Sequence, residues 1–397
     1  MRILFDGSAL NYRLSGIGYY FYNLFANINK EYPENQYELL LINRRFQDPK
    51  MELFCQDKTV HYYEELRKKV FTKIPSSSPI PQYVFRKTDG LINRVIDRFR
   101  SLEKNTIFHG QEFLYDRFPR LINTLTIHDL TTELFPAFHT ETNLRRSQKR
   151  IKFALKHCSL VCSVSQASKR DLLNLYPKFS GRVEVIHESC HPIFDVYKPR
   201  DNKSFLEKYH IDPKKPYLLS VCTIEPRKNL KTVLRVFRSL KKKKAYANFQ
   251  LVLVGGKGWK TESFFRLLER HKNLDDIFLT GYVPLEELPH FYRYAACFLY
   301  LSFYEGFGLP ILEAMKSACP IVASNTSSIP EVAGDAALLV NPDEEEEALM
   351  AIEQVLNDNV LQEDLVKKGL ERGKLFNWQK AAKQQIKFYQ KLIQLVK

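Results

Sequence analysis

No run of about 18 apolar residues with few charges occurs in the 397-residue chain, so no transmembrane helix is expected. The N-terminal apolar run, Ile3-Leu4-Phe5, is too short for the core of a signal peptide. The seven cysteines (Cys55, Cys158, Cys162, Cys190, Cys222, Cys297 and Cys319) are odd in number and lack paired spacing. That speaks against a disulfide framework and for reduced, buried thiols in a cytosolic protein. Acidic residues are the scarcer charge: 45 Asp and Glu stand against 60 Lys and Arg, a formal net charge of +15. The surplus favours anionic partners: nucleotides, nucleic acid or acidic lipid at a membrane face. Neither a zinc-finger pattern nor an RNA-binding aromatic motif accompanies it, so nucleic acid is not the expected partner. What is present is ordinary for a globular protein, with 44% hydrophobic and 26% charged residues. The length, two to three times that of a usual domain, predicts two domains.

Short apolar runs alternate with helical patterns twice along the chain. In the first half, Ile3–Phe5, Tyr37–Ile42, Leu121–Ile127, Leu160–Val164 and Val183–Ile186 read as strands. Tyr19–Asn29, Leu91–Arg100 and Asn143–His157 read as helices between them. Residues 43–104 are irregular, basic and aromatic, and contain Ile74-Pro75-Ser76-Ser77-Ser78-Pro79-Ile80-Pro81, which cannot be a regular helix. They read as a long excursion from the sheet. After a polar, proline-bearing stretch the alternation resumes with strands at Tyr217–Cys222, Gln250–Val254, Ile277–Thr280, Cys297–Leu301, Ile321–Ala323 and Leu338–Val340. The chain ends in a long helical region, Gln362 to Val396, with a break near Asn377-Trp378. Strands separated by helices predict parallel sheets covered on both faces. The expected architecture is α/β, with two Rossmann-like doubly wound domains facing each other across a cleft. The expected boundaries are 1–195, a linker at 196–216, a second domain at 217–376 and a C-terminal helical segment at 377–397 that crosses back to the first domain.

The densest chemistry lies in Tyr300-Leu301-Ser302-Phe303-Tyr304-Glu305-Gly306-Phe307-Gly308-Leu309-Pro310-Ile311-Leu312-Glu313. A strand ends near Leu301, and a glycine-rich turn feeds a helix whose first turn accepts Pro310. Gly306 and Gly308 let the backbone approach a ligand, and the free N–H groups of the helix start form an anion site. Glu305 before the turn and Glu313 within the helix can grip different parts of one elongated ligand. A nucleotide sugar has that shape: base, ribose, diphosphate, sugar.

This stretch resembles the large family-4 group of retaining glycosyltransferases with the two-domain GT-B fold, through Glu305 and Glu313 at the family's E-x7-E spacing. Ser324-Asn325-Thr326-Ser327-Ser328-Ile329-Pro330-Glu331-Val332-Ala333-Gly334, Gly281-Tyr282-Val283 and Glu225-Pro226-Arg227-Lys228-Asn229-Leu230 extend the resemblance over nearly the whole second half. It implies that Glu313 accepts hydrogen bonds from the donor ribose and that Glu305 lies near the transferred sugar. It also implies that Phe307, Gly308 and Leu309 offer backbone donors to the diphosphate or sugar. Arg227 and Lys228 would offset the charge that grows on the leaving diphosphate, which lets the reaction proceed without a metal. Thr326, Ser327 and Ser328 either cap the helix near Pro330 or reach toward the base. Many relatives carry an arginine after glycine where Ser220-Val221-Cys222-Thr223 stands here, proline where Leu301 stands, and glycine where Ala318 stands.

In the first half, Gly16-Ile17-Gly18 lacks the third glycine of a dinucleotide fingerprint. It resembles the family's first loop, whose Gly16 and Gly18 would close over the donor diphosphate; a purely structural turn is the alternative. His128-Asp129 follows a strand and would face the cleft, His128 meeting the transferred sugar. His109 and Gln111 could line the same cleft. His187-Glu188-Ser189-Cys190-His191 matches the H-E-x-x-H letters of zinc proteases, but it follows a strand and is cut by Pro192, so no metal site is expected. Gly255-Gly256-Lys257-Gly258 lacks phosphate-loop spacing; Lys257 could still reach a phosphate.

The resemblance implies a hexosyltransferase acting from a nucleotide-sugar donor, GDP-mannose first, with no further cofactor. The acceptor would be a saccharide or lipid-linked saccharide, as in the bacterial mannosyltransferases of surface polysaccharide and lipopolysaccharide synthesis. The basic Lys68-Lys69, Arg86-Lys87 and 94–100 region suggests an acidic acceptor or an anionic membrane surface on the cytoplasmic side. The alternatives are a nucleotide-sugar-binding protein without catalysis and a nucleic-acid-binding protein.

Overall fold

The computed structural model describes residues 1–11, 16–41, 49–56, 58–62, 105–111, 121–195 and 204–397. The Ile74–Pro81 stretch, the expected helix at 91–100 and the basic Lys68-Lys69, Arg86-Lys87 and 94–100 region lie outside them. Among the described residues the first sheet holds, in chain order, β1 (Arg2–Asp6), β2 (Gln36–Leu41), β3 (Thr59–Tyr62), β4 (Ile107–Gly110), β5 (Ile122–Ile127), β6 (Val161–Ser163) and β7 (Val183–Val185). In space they run β3-β2-β1-β4-β5-β6-β7. The second sheet holds β8 (Tyr217–Val221), β9 (Gln250–Val254), β10 (Ile277–Gly281), β11 (Cys297–Tyr300), β12 (Ile321–Ser324) and β13 (Leu338–Val340), ordered β10-β9-β8-β11-β12-β13. Every pairing is parallel, Ile3 opposite Tyr37 and Ile107 in one sheet and Leu218 opposite Leu251 and Cys297 in the other.

Parallel strands with helices on both faces must be apolar on both sides. The runs IFHG of β4, INTLTI of β5, QLVLV of β9 and CFLY of β11 are buried at every position. Strand order reverses between β1 and β4 in the first sheet and between β8 and β11 in the second. At such a reversal the connecting helices diverge and leave a crevice beyond the carboxyl ends of the strands. Gly7 and Gln111 follow one pair of strand ends; Cys222 and Leu301 follow the other.

The Thr59–Tyr62 strand and the Pro49–Gln56 helix lie inside the segment read as an excursion: that segment contributes an edge strand to the first sheet. The stretch read as a linker also differs. Leu206 and Ile211 are buried in the same core as Tyr217, and Tyr209 Oη donates to Glu287 at 2.6 Å. Residues 204–216 therefore pack as part of the second unit. The C-terminal helical region breaks between Gly373 and Trp378, where Asn377 accepts from the backbone N–H of Lys380 and starts a new helix, Trp378–Val396. That helix buries Trp378, Ala382, Ile386, Tyr389 and Leu392 in the core of the first sheet, beside the Gly16–Glu31 helix. Its amphipathic spacing explains the choice of face. All seven cysteines are free thiols, and burial pushes Cys222 up to about 12. No helix among the described residues is long and apolar enough to cross a membrane.

Candidate active site

A cavity of about 620 Å³ opens between the two sheets, lined from one side by Gly16, Ile17, Tyr19, His128, Asp129 and Glu188 and from the other by Cys222, Arg227, Lys228, Glu305, Phe307, Gly308, Leu309 and Glu313. Its size falls in the range of about 300–1,000 Å³ usual for ligand pockets.

Two helices begin at this cavity, Gly16–Glu31 from the first domain and Leu309–Lys316 from the second. A Cβ placed on Gly16 would stand 4.0 Å from Leu309 Cδ1, so the two N-termini face each other at van der Waals distance from a side chain. Each directs the positive end of its dipole toward the cavity; at the second, Pro310 has no N–H and Ile311 N donates to Gly308 O at 3.0 Å. Gly308 starts the second helix with φ 106°, a conformation that disfavours any side chain. Gly306 is demanded by contact instead: a Cβ there would lie 1.9 Å from His128 O, across the domain boundary. Ser165 and Ser168 of the first domain donate to Gly306 O at 2.6 and 3.1 Å. The turn is thus pinned by both halves of the chain.

Glu305 is 6% exposed. Its carboxylate accepts from Arg227 Nη1 at 2.5 Å and Lys228 Nζ at 2.7 Å. Burial raises its pKa, but the two cations outweigh burial and hold the carboxyl at about 2. Arg227 also donates to Glu225 Oε1 at 2.6 Å and to Tyr304 O at 2.9 Å. Asp129 accepts from Thr131 and is held below the usual range by the nearby Arg227 guanidinium, against the effect of burial. Glu313 differs. It has no cation paired with it among the described residues, only the Tyr292 hydroxyl donating at 2.8 Å, and desolvation pushes it up to about 7. The two glutamates of one motif therefore have opposite electrostatics: one ionised and clamped, the other poised to ionise when donors arrive.

Of the residues read from sequence, Gly16, His128, Arg227, Lys228, Glu305, Phe307, Gly308, Leu309 and Glu313 all line this cavity. Gly18 does not; it is buried in the first turn of its helix. His109 is also displaced from the expected place. It is fully buried, with Nδ1 2.6 Å from Tyr389 Oη and Nε2 2.8 Å from Thr126 Oγ1, and burial and the nearby His128 lower it to about 3. Its hydrogen bonds are met inside the core by a helix 280 residues further on. Gln111 is buried with Oε1 3.3 Å from His128 Nε2. Lys257 stays exposed, its ammonium 5.2 Å above the Phe265 ring.

Thr326, Ser327 and Ser328 follow neither expected course. Thr326 Oγ1 donates to Phe303 O at 3.0 Å, Ser327 Oγ accepts from Glu305 N at 2.9 Å, and Ser328 Oγ donates to Glu305 O and Phe307 O at 2.9 and 2.8 Å. They fix the backbone of the glutamate turn. The H-E-x-x-H letters are spread over separate partners: His187 Nε2 meets Glu331 at 2.7 Å, Glu188 meets His128, and His191 Nδ1 accepts from Ile193 N. Among the described residues no cluster of three metal-ligating side chains forms.

Several cavity residues carried no assignment from sequence. Glu225 stands two positions before Arg227 in the motif, and only the structure shows that the two form an ion pair. Tyr300 lines the cavity and the buried Tyr292 supports Glu313 from behind it, both from elements whose facing cannot be read from spacing. Tyr300 Oη lies 3.4 Å from Lys228 Nζ. Trp259 closes one end by donating from Nε1 to Phe138 O at 2.7 Å across the domains.

Two parallel α/β units with two helix starts and a clamped carboxylate at the cleft can be set beside known proteins. Residues 201–372 match the family model described as Glycosyl transferases group 1. The chain is 29% identical over 404 residues to O-antigen chain mannosyltransferase B of Escherichia coli, covering 99% of this chain and 100% of that one. It is 28% identical over 236 residues to O-antigen chain mannosyltransferase RfbU of Salmonella typhimurium, covering 58% of this chain and 60% of that one. Among solved structures, a sucrose-phosphate synthase from Thermosynechococcus elongatus superposes with a TM-score of 0.73 over 98% of each chain at 18% identity. WaaG, a glycosyltransferase involved in lipopolysaccharide biosynthesis, superposes with a TM-score of 0.69 over 96% of this chain and 98% of that one at 12% identity. The fold is GT-B. Residues 201–372 carry the match to the group 1 glycosyltransferases, and the matches together support a transferase enzyme.

Proposed function

We propose that this enzyme transfers a hexose, mannose first among candidates, from a nucleotide-sugar donor to a saccharide or lipid-linked saccharide during surface-glycan synthesis, with retained anomeric configuration. The observation that carries the reading is Glu305, buried and clamped by Arg227 and Lys228, beside two helix N-termini that face each other across the cleft. The donor diphosphate is read as binding beside those N-termini, where the helix dipoles favour a dianion. Glu313 takes the ribose hydroxyls, which as donors would draw it into its charged form. Arg227 and Lys228 gain most from the substrate as the glycosidic bond breaks and charge grows on the leaving phosphate. That phosphate oxygen takes the proton of the incoming hydroxyl on the same face of the sugar. Glu305 stays ionised, orients sugar hydroxyls and keeps both cations in place; its tight pairing argues against a nucleophilic role.

GDP-mannose is the first donor to test, because the relative aligned with the whole chain is named as an O-antigen chain mannosyltransferase. The seven free thiols support a reducing, cytoplasmic setting. The test is a mass-spectrometric screen of donor hydrolysis across common nucleotide sugars, with proton NMR of the product to read the anomeric configuration. Release of nucleoside diphosphate from GDP-mannose, lost in Glu305→Ala, is the expected result. No turnover of any donor by folded protein would overturn the reading.

A further inference from the structure

The segment His187-Glu188-Ser189-Cys190-His191 is the motif that the transfer reading leaves unused. It follows β7 without helical structure, and Glu188, Ser189, Cys190 and His191 line the cleft. Three of its polar side chains are tied to other elements: His187 to Glu331, Ser189 Oγ to Phe376 O at 3.0 Å, and His191 to Ile193 N. Glu188 is tied by one atom only. Its Oε1 lies 3.2 Å from His128 Nδ1, and no hydrogen bond to its Oε2 is made among the described residues. The residue is 5% exposed and forms part of the cavity wall. An ionised carboxylate offers acceptor sites on both oxygens and no donor. Oε2 is not sealed in the core: it opens on the cavity, where its lone pairs accept from whatever occupies that space. Arg227 and Lys228, the cations in the wall, are already committed to Glu225 and Glu305. What remains to satisfy Oε2 is a ligand rich in hydroxyl donors and lacking negative charge at that end.

We propose that Glu188 is a substrate-binding residue whose Oε2 accepts a hydrogen bond from a sugar hydroxyl, while Oε1 holds His128 in orientation. The inference rests on the glycosyltransferase reading above. The hydroxyl belongs to the transferred hexose or to the acceptor sugar, and the chemistry is the same for both. Glu188 reads it from the first domain, opposite Glu305 and Glu313 of the second, so the two halves hold the saccharide jointly.

The test compares wild type, Glu188→Gln and Glu188→Ala in two assays: hydrolysis of the donor alone, and transfer to a saccharide acceptor. Loss of a hydrogen bond to a charged group predicts a KM raised about tenfold to a hundredfold for one substrate in Glu188→Ala. Glu188→Gln, which keeps an acceptor oxygen and the side-chain shape, should show a smaller rise. A higher donor KM in both assays assigns the hydroxyl to the transferred sugar; a higher acceptor KM in transfer alone assigns it to the acceptor. Deoxy analogues add a readout that mere structural support would not move: the one lacking the recognised hydroxyl should bind wild type and Glu188→Ala equally. Unchanged KM values for both substrates, or a fall in kcat alone, would overturn the inference. An inactive wild type would overturn the transfer reading itself, and that failure is seen before any variant is compared.

Discussion

Glu313→Gln should make the free enzyme more stable at alkaline pH while weakening its hold on nucleotide. The Glu313 carboxyl is pushed up to about 7 in the folded chain against an ordinary 4.5, because it is half-buried and desolvated, with Tyr292 as its hydrogen-bond donor and no cation paired with it among the described residues. Its folded pKa is raised, so the folded state binds more protons than the unfolded state between those values. Stability is then lost as pH rises through that window and is level above it. With 1.36 kcal/mol per unit, the charged form costs about 3 kcal/mol at pH 8 and under about 1 kcal/mol at pH 5. Glutamine is neutral throughout and still accepts from Tyr292. Urea unfolding of both proteins at pH 5 and pH 8 measures the difference. The expected gain for Glu313→Gln is under about 1 kcal/mol at pH 5 and about 3 kcal/mol at pH 8. Calorimetric titration with nucleoside diphosphate should show binding weakened about tenfold or more, the value of losing hydrogen bonds to a charged acceptor. A stability difference independent of pH would refute the electrostatic argument.

Glu305→Ala should lower turnover by about 100-fold or more with far-UV circular dichroism unchanged, since it removes the group that aligns Arg227 and Lys228. Lys228→Ala should weaken nucleotide diphosphate binding about tenfold and flatten its salt dependence, as measured by titration at two ionic strengths. Glu331 accepts from Gln166 N at 2.9 Å, Ala167 N at 3.0 Å and His187 Nε2 at 2.7 Å, capping a first-domain helix from the second domain. Glu331→Ala should cost about 1 kcal/mol and enlarge the radius of gyration in small-angle scattering; an identical scattering curve would show that this contact does not hold the cleft closed. Ala318 has φ 55°, a left-handed conformation that favours glycine, so Ala318→Gly should raise unfolding stability by up to about 1 kcal/mol.

The parallel strands were legible because both of their faces are buried, which leaves unbroken apolar runs such as QLVLV. The glutamate turn was legible because its glycines and Pro310 are local requirements of backbone geometry. His109 was not, because it sits inside the strand and meets Tyr389, a partner no local pattern can name, whereas Gln111 lies past the strand end and approaches His128. Thr59–Tyr62 escaped because a short edge strand in a polar, basic segment carries little periodicity. Glu188 was quoted only within a metal-like letter pattern; its chemistry depends on a free oxygen facing the cleft, which is a property of packing. The opposite charge preferences of Glu305 and Glu313 likewise come from neighbours, Arg227 and Lys228 in one case and Tyr292 in the other.

The seam between the two facing helix starts is tested most directly by a crystal structure of the enzyme with GDP bound. The account predicts the diphosphate between Gly16 and Gly308, with ribose hydroxyls on Glu313. Nucleotide bound elsewhere, or a diphosphate remote from both helix starts, would contradict it.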